Sequence, residues 1–506
     1  MSLLFRAVIN HAQQCPDAPA LQGTESVLTY VELGQQLQRV GGELRKAGVK
    51  ALGLLADNGV AWAVADLSAL FADILLVPLP PFFSAQQLQH AVRDSGLDAI
   101  LTDQPERVEE LLGGQCRRVV SDAFGGLQML RLTAPSGVSV PAHTVKITYT
   151  SGTTGQPKGV CLGQDALESV VQSLCNASLA SPQDRHLCLL PLSTLLENIG
   201  GIYVPLLAGA CSCVLPLRQV GLQGAAALDV RQMLKSLHAC RASSAILVPQ
   251  MLQAMVAALG MGAAAPAQLR FIAVGGAPVS SRLLARAQQL GLPVYEGYGL
   301  SECVSVVALN APGFNKPGSV GRPLPHVRLK FADDGEIKVG GAAFSGHPTF
   351  LGYLGQAESA DAEGFWPTGD TGYLDDDGYL HLTGRKKNMF ITSFGRNVAP
   401  EWVERELTIH PVIAQAAVFG EAQPWNTAVL VPRPLPGVDM QSALAEAIAA
   451  TNQMLPDYAR IKKWIVASEP FTPQNGLLTA NGRLRREEIW SRYEVVVGKL
   501  YHEEVQ

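Results

Sequence analysis

The sequence predicts an α/β protein with a large N-terminal domain of parallel α/β layers plus an antiparallel β subdomain, and a small mobile C-terminal α+β domain. Three observations predict this class. Helical and strand patterns alternate through about the first 380 residues, hairpin-like segments replace them from about Gly321, and a shorter mixture of strand and helix patterns ends the chain. A chain of 506 residues also exceeds what one hydrophobic core normally serves.

The alternation begins with apolar residues at helical spacing over 30–48, followed by the short apolar strand ALGLLA at 51–56. The same order returns in the strand 245–250 with the helix that follows it, and again within 269–289. Short apolar strands that end in glycine or proline before a helix are typical of buried parallel sheets. This stretch therefore predicts the parallel layers.

The pattern after Gly321 is antiparallel. Segments 332–341 and 374–384 each place an Asp-Gly turn between alternating residues, as β-hairpins do. A domain boundary is expected near Arg385 to Lys387, which gives an N-terminal domain of residues 1–385 and a C-terminal domain of residues 386–506.

Composition excludes several classes of protein. With 47% hydrophobic residues, 16% charged residues and a net charge of -5, the chain lacks the basic field of a nucleic-acid-binding protein. The N-terminus lacks the features of a signal peptide, which favours a cytoplasmic location. No apolar run reaches the length of a transmembrane helix, although peripheral membrane contact stays open. The cysteines are scattered without zinc-site spacing, and Cys211 and Cys213 are expected to be buried thiols on one side of a strand.

The segment YTSGTTGQPKGV at 149–160 is dense in hydroxyls and glycines. Glycines let backbone N–H groups approach a ligand and the hydroxyls add donors, so the segment predicts a polyphosphate-binding loop. It is not the GxxxxGK[ST] nucleotide loop, because Gln156 and Pro157 precede the lysine. The candidate phosphate-binding residues are Thr150, Ser151, Gly152, Thr153, Thr154, Gly155 and Lys158.

Three further segments accompany this loop: YEGYGLSE at 295–302, WPTGDTGYLDDDGYLHLTGRKKN at 366–388 and PFTPQNGLLTANGRLRREEI at 470–489. With them the chain resembles, over nearly its whole length, the adenylate-forming superfamily of acyl-CoA synthetases, nonribosomal adenylation domains and luciferases. The C-terminal segment is similar to the ending of long-chain fatty acyl-CoA synthetases. The resemblance implies ATP and Mg²⁺ as cofactors, a carboxylic acid substrate, and coenzyme A or carrier-protein phosphopantetheine as acceptor.

The resemblance also assigns nucleotide-binding residues. In the family, the segments matching VGGAPVS at 274–280 and YEGYGLSE lie against adenine and the acyl pocket. Glu302 ends the second segment as the expected magnesium ligand, with Thr150 as a further candidate, although such a glutamate alone would more often be a surface carboxylate. The residues carried over are Gly276, Ala277, Pro278, Glu296, Gly297, Tyr298, Gly299, Leu300 and Ser301.

The third segment carries the remaining nucleotide contacts. By the resemblance, Asp370 takes both ribose hydroxyls, Arg385 contacts the ribose and phosphate side, and Lys387 stands at the hinge of the C-terminal domain. Gly395, in the loop 392–400, is expected to line the path of the thiol. The alternatives are an Asx-turn for Asp370 and a solvated surface position for Lys387.

The C-terminal segment departs from the family. Where relatives have a lysine that bridges the acyl carboxylate and the α-phosphate, this chain has Arg483, and no lysine lies between Lys463 and Lys499. Arginine keeps the charge but differs in length and shape. The expected catalytic residues are therefore Arg483, Glu302 and Lys387.

The segment LPLSTLLENIGG at 190–201 is similar to the acyl-channel segment of long-chain synthetases, except that Thr194 replaces a common histidine. The aspartate of amino-acid activators and the His-Asn pair of aryl-acid activators are absent here, although Asn198 leaves a polar-ring substrate open. The expected function is activation of a fatty or other apolar acid to acyl-AMP, followed by transfer to coenzyme A. The alternatives are loading of a carrier protein, and a nucleotide-binding protein that has lost turnover because of Arg483.

Overall fold

The computed structural model describes residues 2–133, 139–150, 157–223, 227–341, 351–356, 360–361, 363–479 and 482–502. We call residues up to 385 the large lobe and the later residues the small lobe. The described α-helices are Leu3–Gln14, Tyr30–Lys46, Val60–Phe71, Ala85–Asp94, Pro105–Leu112, Gln164–Ala177, Leu195–Glu197, Val204–Ala208, Val230–Ala239, Pro249–Gly260, Ser281–Gln289, Pro400–Thr408, Met440–Met454 and Arg486–His502. A π-helix spans Asn198–Tyr203, and 3₁₀ turns span Asp122–Phe124, Ser301–Cys303 and Asp457–Ala459.

The first sheet of the large lobe is parallel at its centre and antiparallel at both ends. Its central strands are buried runs of apolar residues followed by helices, as the sequence pattern predicts for a parallel sheet. In spatial order its described strands are Arg322–Pro323, Ala308–Leu309, Val294–Tyr298, Phe271–Val274, Ser244–Leu247, Arg185–Leu187, Cys211–Cys213, Pro19–Gln22 and Val27–Thr29.

The second sheet packs on the first through the helices Tyr30–Lys46 and Val60–Phe71, which share one buried core with strands of both sheets. Its outer strands are antiparallel, including the hairpin formed by Thr144–Thr150 and Lys158–Gly163. In spatial order its described strands are Cys116–Val119, Gln128–Leu132, Ala99–Thr102, Ala51–Leu55, Leu75–Pro78, Thr144–Thr150 and Lys158–Gly163.

An antiparallel sheet completes the large lobe, and a mixed sheet lies in the small lobe. The antiparallel sheet contains both predicted Asp-Gly hairpins. Its strands are Val327–Phe331, Glu336–Gly341, Phe365–Leu374 and Leu380–Arg385, and those of the small-lobe sheet are Ile413–Phe419, Asn426–Pro432 and Ile461–Val466. Short ribbons pair Leu222–Gln223 with Ala227–Leu228 and Phe390–Ile391 with Asn397–Val398.

The predicted fold class is confirmed by this architecture. Within the described residues, the two buried clusters of the small lobe take all their members from Phe390 onward. Because each lobe has its own core, we propose the domain boundary at residue 385, where the last strand of the antiparallel sheet ends. Among the residues that the structure describes, no helix is long and apolar enough to cross a membrane.

A buried polar network joins the hairpin of Thr144–Thr150 and Lys158–Gly163 to the π-helix Asn198–Tyr203. Lys146, on the hairpin strand that ends at Thr150, donates to Asp66 at 2.8 Å, to Asn198 at 2.5 Å and to the Tyr203 hydroxyl at 2.7 Å. The Tyr203 hydroxyl in turn donates to the second oxygen of Asp66 at 2.6 Å. Burial lowers the pKa of Lys146, and the Asp66 carboxylate opposes that effect. The network fixes the hairpin against a helix that also borders the cleft described next.

Candidate active site

A cleft of about 2530 Å³ separates the two lobes and continues into the large lobe beneath the first sheet. Two glycine-rich segments from the ends of adjacent parallel strands border it. Such strand ends are where ligands bind in open α/β sheets. The predicted residues that line the cleft are Gly276, Ala277, Pro278, Glu296, Gly297, Tyr298, Gly299, Leu300, Ser301, Asp370, Arg385, Lys387 and Arg483.

Asp370 is a buried carboxylate in the wall of the cleft, 6% exposed. Its Oδ1 accepts the Nε–H of Arg385 at 2.8 Å, and its Oδ2 accepts the Tyr298 hydroxyl at 2.8 Å. Burial and the Asp370 charge raise the pKa of Tyr298, so the phenol keeps its proton and remains a donor. The carboxylate is therefore held in one orientation, with lone pairs left over for two further donors.

Glu302, the last residue of the YEGYGLSE segment, lies in the short 3₁₀ turn Ser301–Cys303, which follows the strand Val294–Tyr298. The Tyr353 hydroxyl donates to its Oε1 at 2.6 Å. The ammonium of Lys158 lies 4.8 Å from the centre of the Tyr353 ring, which links the hairpin that carries Lys158 to the Glu302 carboxylate. The second carboxylate oxygen of Glu302 can serve as the hard oxygen ligand that Mg²⁺ prefers, so the donor type fits the predicted metal.

The glycines of the two segments make room for a flat ligand. Gly276 has a φ of 83°, a conformation that favours glycine. A Cβ on Gly299 would lie 1.6 Å from the carbonyl oxygen of Ser305, so only glycine fits there. Gly276, Ala277 and Pro278 are exposed on the floor of the cleft. This exposed backbone suits the close approach of a nucleotide base.

Glu296 is a buried carboxyl of the same strand, and its Oε1 accepts the backbone N–H of Val279 at 3.3 Å. Burial raises its pKa to about 7, while Arg405 of the small lobe and the Val279 N–H act in the opposite direction. Glu296 therefore ties the VGGAPVS segment to the YEGYGLSE segment and senses the charge of a small-lobe residue.

Arg483 is a residue of the small lobe that lines the cleft. Burial between the lobes lowers its pKa and Arg385 lowers it further, whereas Asp370, Glu302 and Tyr298 raise it. Its side chain is nevertheless exposed to solvent, since protein surrounds the cleft without packing tightly against the guanidinium.

The next two arginines are tied to protein groups. Arg485 donates to the carbonyl of Gly476, and Arg486 forms a two-pronged ion pair with Glu404. Within the described residues, the guanidinium of Arg483 has no hydrogen-bond partner. All three arginines line the cleft, and Arg483 is the one whose guanidinium is available to a ligand there.

The predicted hinge is a turn at the edge of the antiparallel sheet. The N–H groups of Asn388 and Met389 both donate to the carbonyl of Arg385, at 3.0 and 2.9 Å. Lys387 is exposed in this turn, and partial burial, Arg385 and Arg483 lower its pKa. The turn places Lys387 at the junction of the lobes, where the charges of Arg385 and Arg483 act on it.

Gly395 lies elsewhere. It occupies an exposed turn at a φ of 70°, and its N–H donates to the carbonyl of Thr392 at 2.9 Å. Gly395 itself does not line the cleft, although Ala399 and Pro400 at the end of its loop do. Glu302, Thr150 and Lys158 also lie off the lining, and Thr150 donates to the carbonyl of Lys158. The predicted residues Ser151, Gly152, Thr153, Thr154 and Gly155 lie outside the described residues.

The predicted acyl segment divides between the cleft and the core. Thr194, Leu195 and Leu196 line the cleft together with apolar residues of neighbouring strands. Asn198, by contrast, is 1% exposed and engaged in the Lys146 network, so it does not face the cleft. Asn198 therefore gives no support for a polar-ring substrate.

Sequence reasoning missed Tyr353 and Arg405. Tyr353 meets Glu302 from 51 positions away in the chain, and Arg405 reaches Glu296 from the other lobe. Neither residue lies in a sequence motif that is associated with binding or catalysis. The tyrosine in the apolar run FLGYLG was a weak signal, because a lone tyrosine there often keeps its hydroxyl near a polar partner.

The chain matches the AMP-binding enzyme family over residues 8–354 and the AMP-binding enzyme C-terminal domain over residues 387–505. Among curated proteins it is similar to the long-chain-fatty-acid–CoA ligase FadD15 of Mycobacterium bovis, with 27% identity over 98% of this chain and 96% of that protein.

Two solved structures show the same fold. The anthranilate CoA ligase AuaEII in complex with anthranoyl-AMP has a TM-score of 0.80 at 20% identity, over 97% of this chain and 98% of that one. The o-succinylbenzoate coenzyme A synthetase of Bacillus subtilis, in complex with ATP and magnesium, has a TM-score of 0.73 at 24% identity, over 95% of this chain and 98% of that one.

The fold and the site define an adenylate-forming enzyme. The chain belongs to the AMP-binding enzyme family, and it is an AMP-forming acid–thiol ligase. The expectations of the adenylate-forming family, of an acyl-AMP intermediate, and of ATP and Mg²⁺ as cofactors are thereby confirmed. The named relatives act on both fatty and aryl acids, so the acid itself is a separate question.

Proposed function

We propose that this protein is a coenzyme A ligase for a fatty or similarly apolar acid. The observation that carries the proposal is the composition of the cleft, whose lining joins Arg483, Asp370 and Tyr298 to a set of apolar side chains that we call the channel. Lining side chains of the channel include Leu190, Leu195, Leu196, Ile246 and Phe271. Apolar walls with few polar groups suit an alkyl chain.

The site residues have distinct roles in binding ATP. Asp370, oriented by Tyr298 and Arg385, accepts hydrogen bonds from the ribose hydroxyls. The segments that carry Gly276 and Tyr298 enclose the base. Glu302 would hold Mg²⁺, which when bound would neutralise phosphate charge and polarise the P–O bonds. The loop 151–156 and Lys158 are proposed to lie against the terminal phosphates.

In the first half-reaction, an oxygen of the acid attacks the α-phosphorus. A P–O bond forms to the acyl group, and the bond from the α-phosphorus to the bridging oxygen breaks, which releases pyrophosphate. Arg483 places its planar fork between the carboxylate and the α-phosphate and stabilises the negative charge that builds up there. No covalent bond to the protein is required, because positioning and charge supply the rate.

In the second half-reaction, the thiol sulfur attacks the acyl carbon. The C–S bond forms, the C–O bond to phosphate breaks, the thiol proton leaves to solvent and AMP is released. Gly395 itself does not line the cleft in this arrangement, although Ala399 and Pro400 at the end of its loop do. We therefore propose that the small lobe turns about Lys387 between the half-reactions, so that Arg483 withdraws and Gly395 approaches.

Two other functions remain to be separated from this one. A carrier-protein phosphopantetheine can replace coenzyme A, since both end in the same thiol arm. A nucleotide-binding protein without turnover is the second alternative, motivated by arginine in place of lysine. We propose cytoplasmic action for the ligase.

One experiment tests all three. Pyrophosphate release is measured with ATP, Mg²⁺ and a panel of fatty acids of graded length, aryl acids and amino acids, and then free coenzyme A or a carrier protein is offered. The proposed function predicts release that is strongest with fatty acids, and a thioester with coenzyme A. Strongest release with amino acids, or thioester on the carrier alone, contradicts it. ATP binding without acid-dependent release supports the inactive alternative.

A further inference from the structure

A line of polar side chains interrupts the apolar wall of the channel. Ser244 and His186 occupy paired positions on adjacent parallel strands of the first sheet, and both line the cavity. Ser244 is partly exposed there, whereas His186 is 4% exposed. Behind them lies Glu197, which is fully buried. Such a group is unusual in an alkyl channel, because buried polar atoms carry a desolvation cost.

The three side chains form a continuous chain of hydrogen bonds. Nδ1 of His186 lies 3.0 Å from the Ser244 hydroxyl, and Nε2 lies 3.1 Å from Oε1 of Glu197. The other oxygen of Glu197 accepts the backbone N–H of Leu190 at 3.1 Å. A Cβ on Gly201 would lie 2.6 Å from Oε1, so the helix packs closely against the carboxylate and holds it.

The direction of these hydrogen bonds follows from the chemistry of the groups. A carboxylate has acceptors only, so Nε2 of His186 carries the proton that Glu197 accepts. Nδ1 of the neutral ring is then an acceptor, and the Ser244 hydroxyl donates to it. The proton of the Ser244 hydroxyl is therefore engaged in the hydrogen bond to His186. Only the lone pairs of the Ser244 oxygen face the channel, so Ser244 offers a ligand a hydrogen-bond acceptor.

The position along the channel sets what can reach Ser244. The parallel strand runs from Ser244 to Leu247, whose neighbour strand ends beside Gly275 and Gly276 of the nucleotide site. Three residues of strand correspond to roughly 10 Å. A group that meets Ser244 therefore stands well away from the reacting carboxylate. Channel residues further along the strands, such as Ile246 and Ala273, are apolar, whereas the ion pair of Asp184 and Arg270 lines the cavity where the strands begin.

We propose that Ser244, positioned by His186 and Glu197, selects acids that carry a hydrogen-bond donor, such as a hydroxyl, partway along an otherwise apolar acyl chain. This inference rests on the proposed function, since it names the substrate class of the same channel. His186 and Glu197 act as positioning residues, because they set which side of the Ser244 hydroxyl faces the ligand.

The first test moves one hydroxyl along a fatty acid. Acid-dependent pyrophosphate release is measured for saturated acids of one length with the hydroxyl at successive carbons, and for the unsubstituted acid. Wild type is expected to prefer one mid-chain position. In Ser244→Ala the preference, as the ratio of kcat/KM to that of the unsubstituted acid, should fall by about fivefold, the effect of one net hydrogen bond.

Ser212→Ala is the matched control. Ser212 pairs with His186 from the other side, is fully buried and donates to the carbonyl of Gly201, so its loss affects packing but not the cavity wall. The positional preference should survive in Ser212→Ala. An equal preference in wild type and Ser244→Ala, with unsubstituted acids still turned over, overturns the inference and leaves the proposed function intact. Absence of release with every acid overturns both.

The second test reverses the polarity. In Glu197→Gln the amide oxygen can still accept the Leu190 N–H, which turns the NH₂ group toward Nε2 of His186. Nε2 then becomes the acceptor, Nδ1–H donates to Ser244, and the hydroxyl proton faces the channel. The variant is expected to gain activity toward mid-chain oxo acids relative to hydroxy acids. A general loss for all acids in equal proportion, as a packing defect would give, contradicts the assigned polarity.

Discussion

The Nε–H of Arg385 donates to Oδ1 of Asp370 across paired positions of neighbouring strands, at 2.8 Å. This pair stands at the last residue of the large lobe, one position before the chain turns into the small lobe. The residue that holds the proposed ribose ligand is thus also the residue whose carbonyl accepts the N–H groups of the hinge turn. In the proposed function, nucleotide binding and rotation of the small lobe would therefore both depend on Arg385.

Asp370→Ala should weaken ATP binding and slow both half-reactions. The ribose hydroxyls would lose hydrogen bonds to a charged group, worth about 1.5–3 kcal/mol, or roughly tenfold or more. Calorimetric titration with ATP and pyrophosphate exchange measure the two effects. Asp334→Ala is the control, because Asp334 is an exposed carboxylate of the same sheet, paired with Lys386. Unchanged ATP affinity in Asp370→Ala would show that the ribose binds elsewhere.

Arg483→Ala should reduce adenylation by on the order of 10²–10³, as the loss of a positioned donor to a developing anion does. Thioester formation from supplied acyl-AMP should barely change. Arg492→Ala, which removes an exposed ion pair with Glu469, should leave both rates near wild type. Equal adenylation in wild type and Arg483→Ala across the acid panel would remove Arg483 from catalysis.

Arg483→Lys asks whether the pocket is adapted to arginine. The lysine offers a point charge on a flexible stem instead of a planar fork. Slower adenylation is expected if the carboxylate and phosphate sites are spaced for the fork. Faster adenylation in the variant would show that arginine at position 483 supports this step less well than lysine does. Single-turnover acyl-AMP formation distinguishes these outcomes without interference from product release.

Glu302→Gln should shift the magnesium dependence of adenylation to higher concentration. The amide keeps an oxygen for the Tyr353 hydroxyl but loses the charge that attracts the cation. Titration of pyrophosphate release with MgCl₂ measures the shift. Tyr353→Phe keeps the charge and loses the orienting hydrogen bond, so a smaller shift is expected. A rate loss in Glu302→Gln that is independent of magnesium would argue for a purely structural carboxylate.

Gly395→Leu should leave pyrophosphate exchange nearly intact and slow thioester formation. In the present arrangement a Cβ at this position meets nothing within 4 Å, so the added side chain has space until the lobe turns. Gly395→Ala shares the strain of the positive φ without the bulk and is the matched control. The ratio of the two half-reaction rates is the readout. An equal loss in both half-reactions would contradict the turning of the loop.

Glu296 predicts a pH dependence of stability. Its pKa in the folded protein, about 7, lies above the ordinary value of 4.5, so the folded state retains the proton longer than the unfolded state. The contribution of Glu296 to the free energy of unfolding totals about 3 kcal/mol. It is fully present below pH 4.5 and is lost as pH rises through about 7. Glu296→Gln should therefore gain melting temperature relative to wild type as pH rises from 5 to 8.

Glu446→Gln, on an exposed face of the helix Met440–Met454, is the control for a surface carboxyl and should follow wild type. A constant difference in melting temperature between Glu296→Gln and wild type across the pH range would mean that Glu296 is ionised throughout.

Local patterns were sufficient for much of the fold. The helix expected over 30–48 forms over Tyr30–Lys46, and the side chains of Thr29 and Glu32 cap its start reciprocally. The Asp-Gly turns gave the antiparallel hairpins, because their geometry is encoded in adjacent residues. The motif residues of 296–301 were placed in the cleft by a chemical pattern that is itself local.

What the sequence did not predict depends on distant contacts or on helix geometry. Ser244 meets His186 from 58 positions away, and no spacing rule relates them. Asn198 begins a π-helix, in which an extra residue per turn rotates each side chain away from where an α-helical pattern would place it. It consequently faces Lys146 and not the substrate channel.

The Lys146 network bears on how this enzyme can diversify. The ammonium of Lys146 is 1% exposed and is paired with the fully buried carboxylate of Asp66, so loss of either residue alone strands a buried charge, at a cost of about 3–5 kcal/mol. A lineage therefore has to exchange Lys146 and Asp66 together or retain both, whereas a change at Asn198 or Tyr203 removes one neutral hydrogen-bond partner of the pair. Neighbouring channel positions such as Thr194 and Leu196 carry no such constraint. New acid preferences should accordingly arise by stepwise change at those positions, while Lys146 and Asp66 are inherited as a pair.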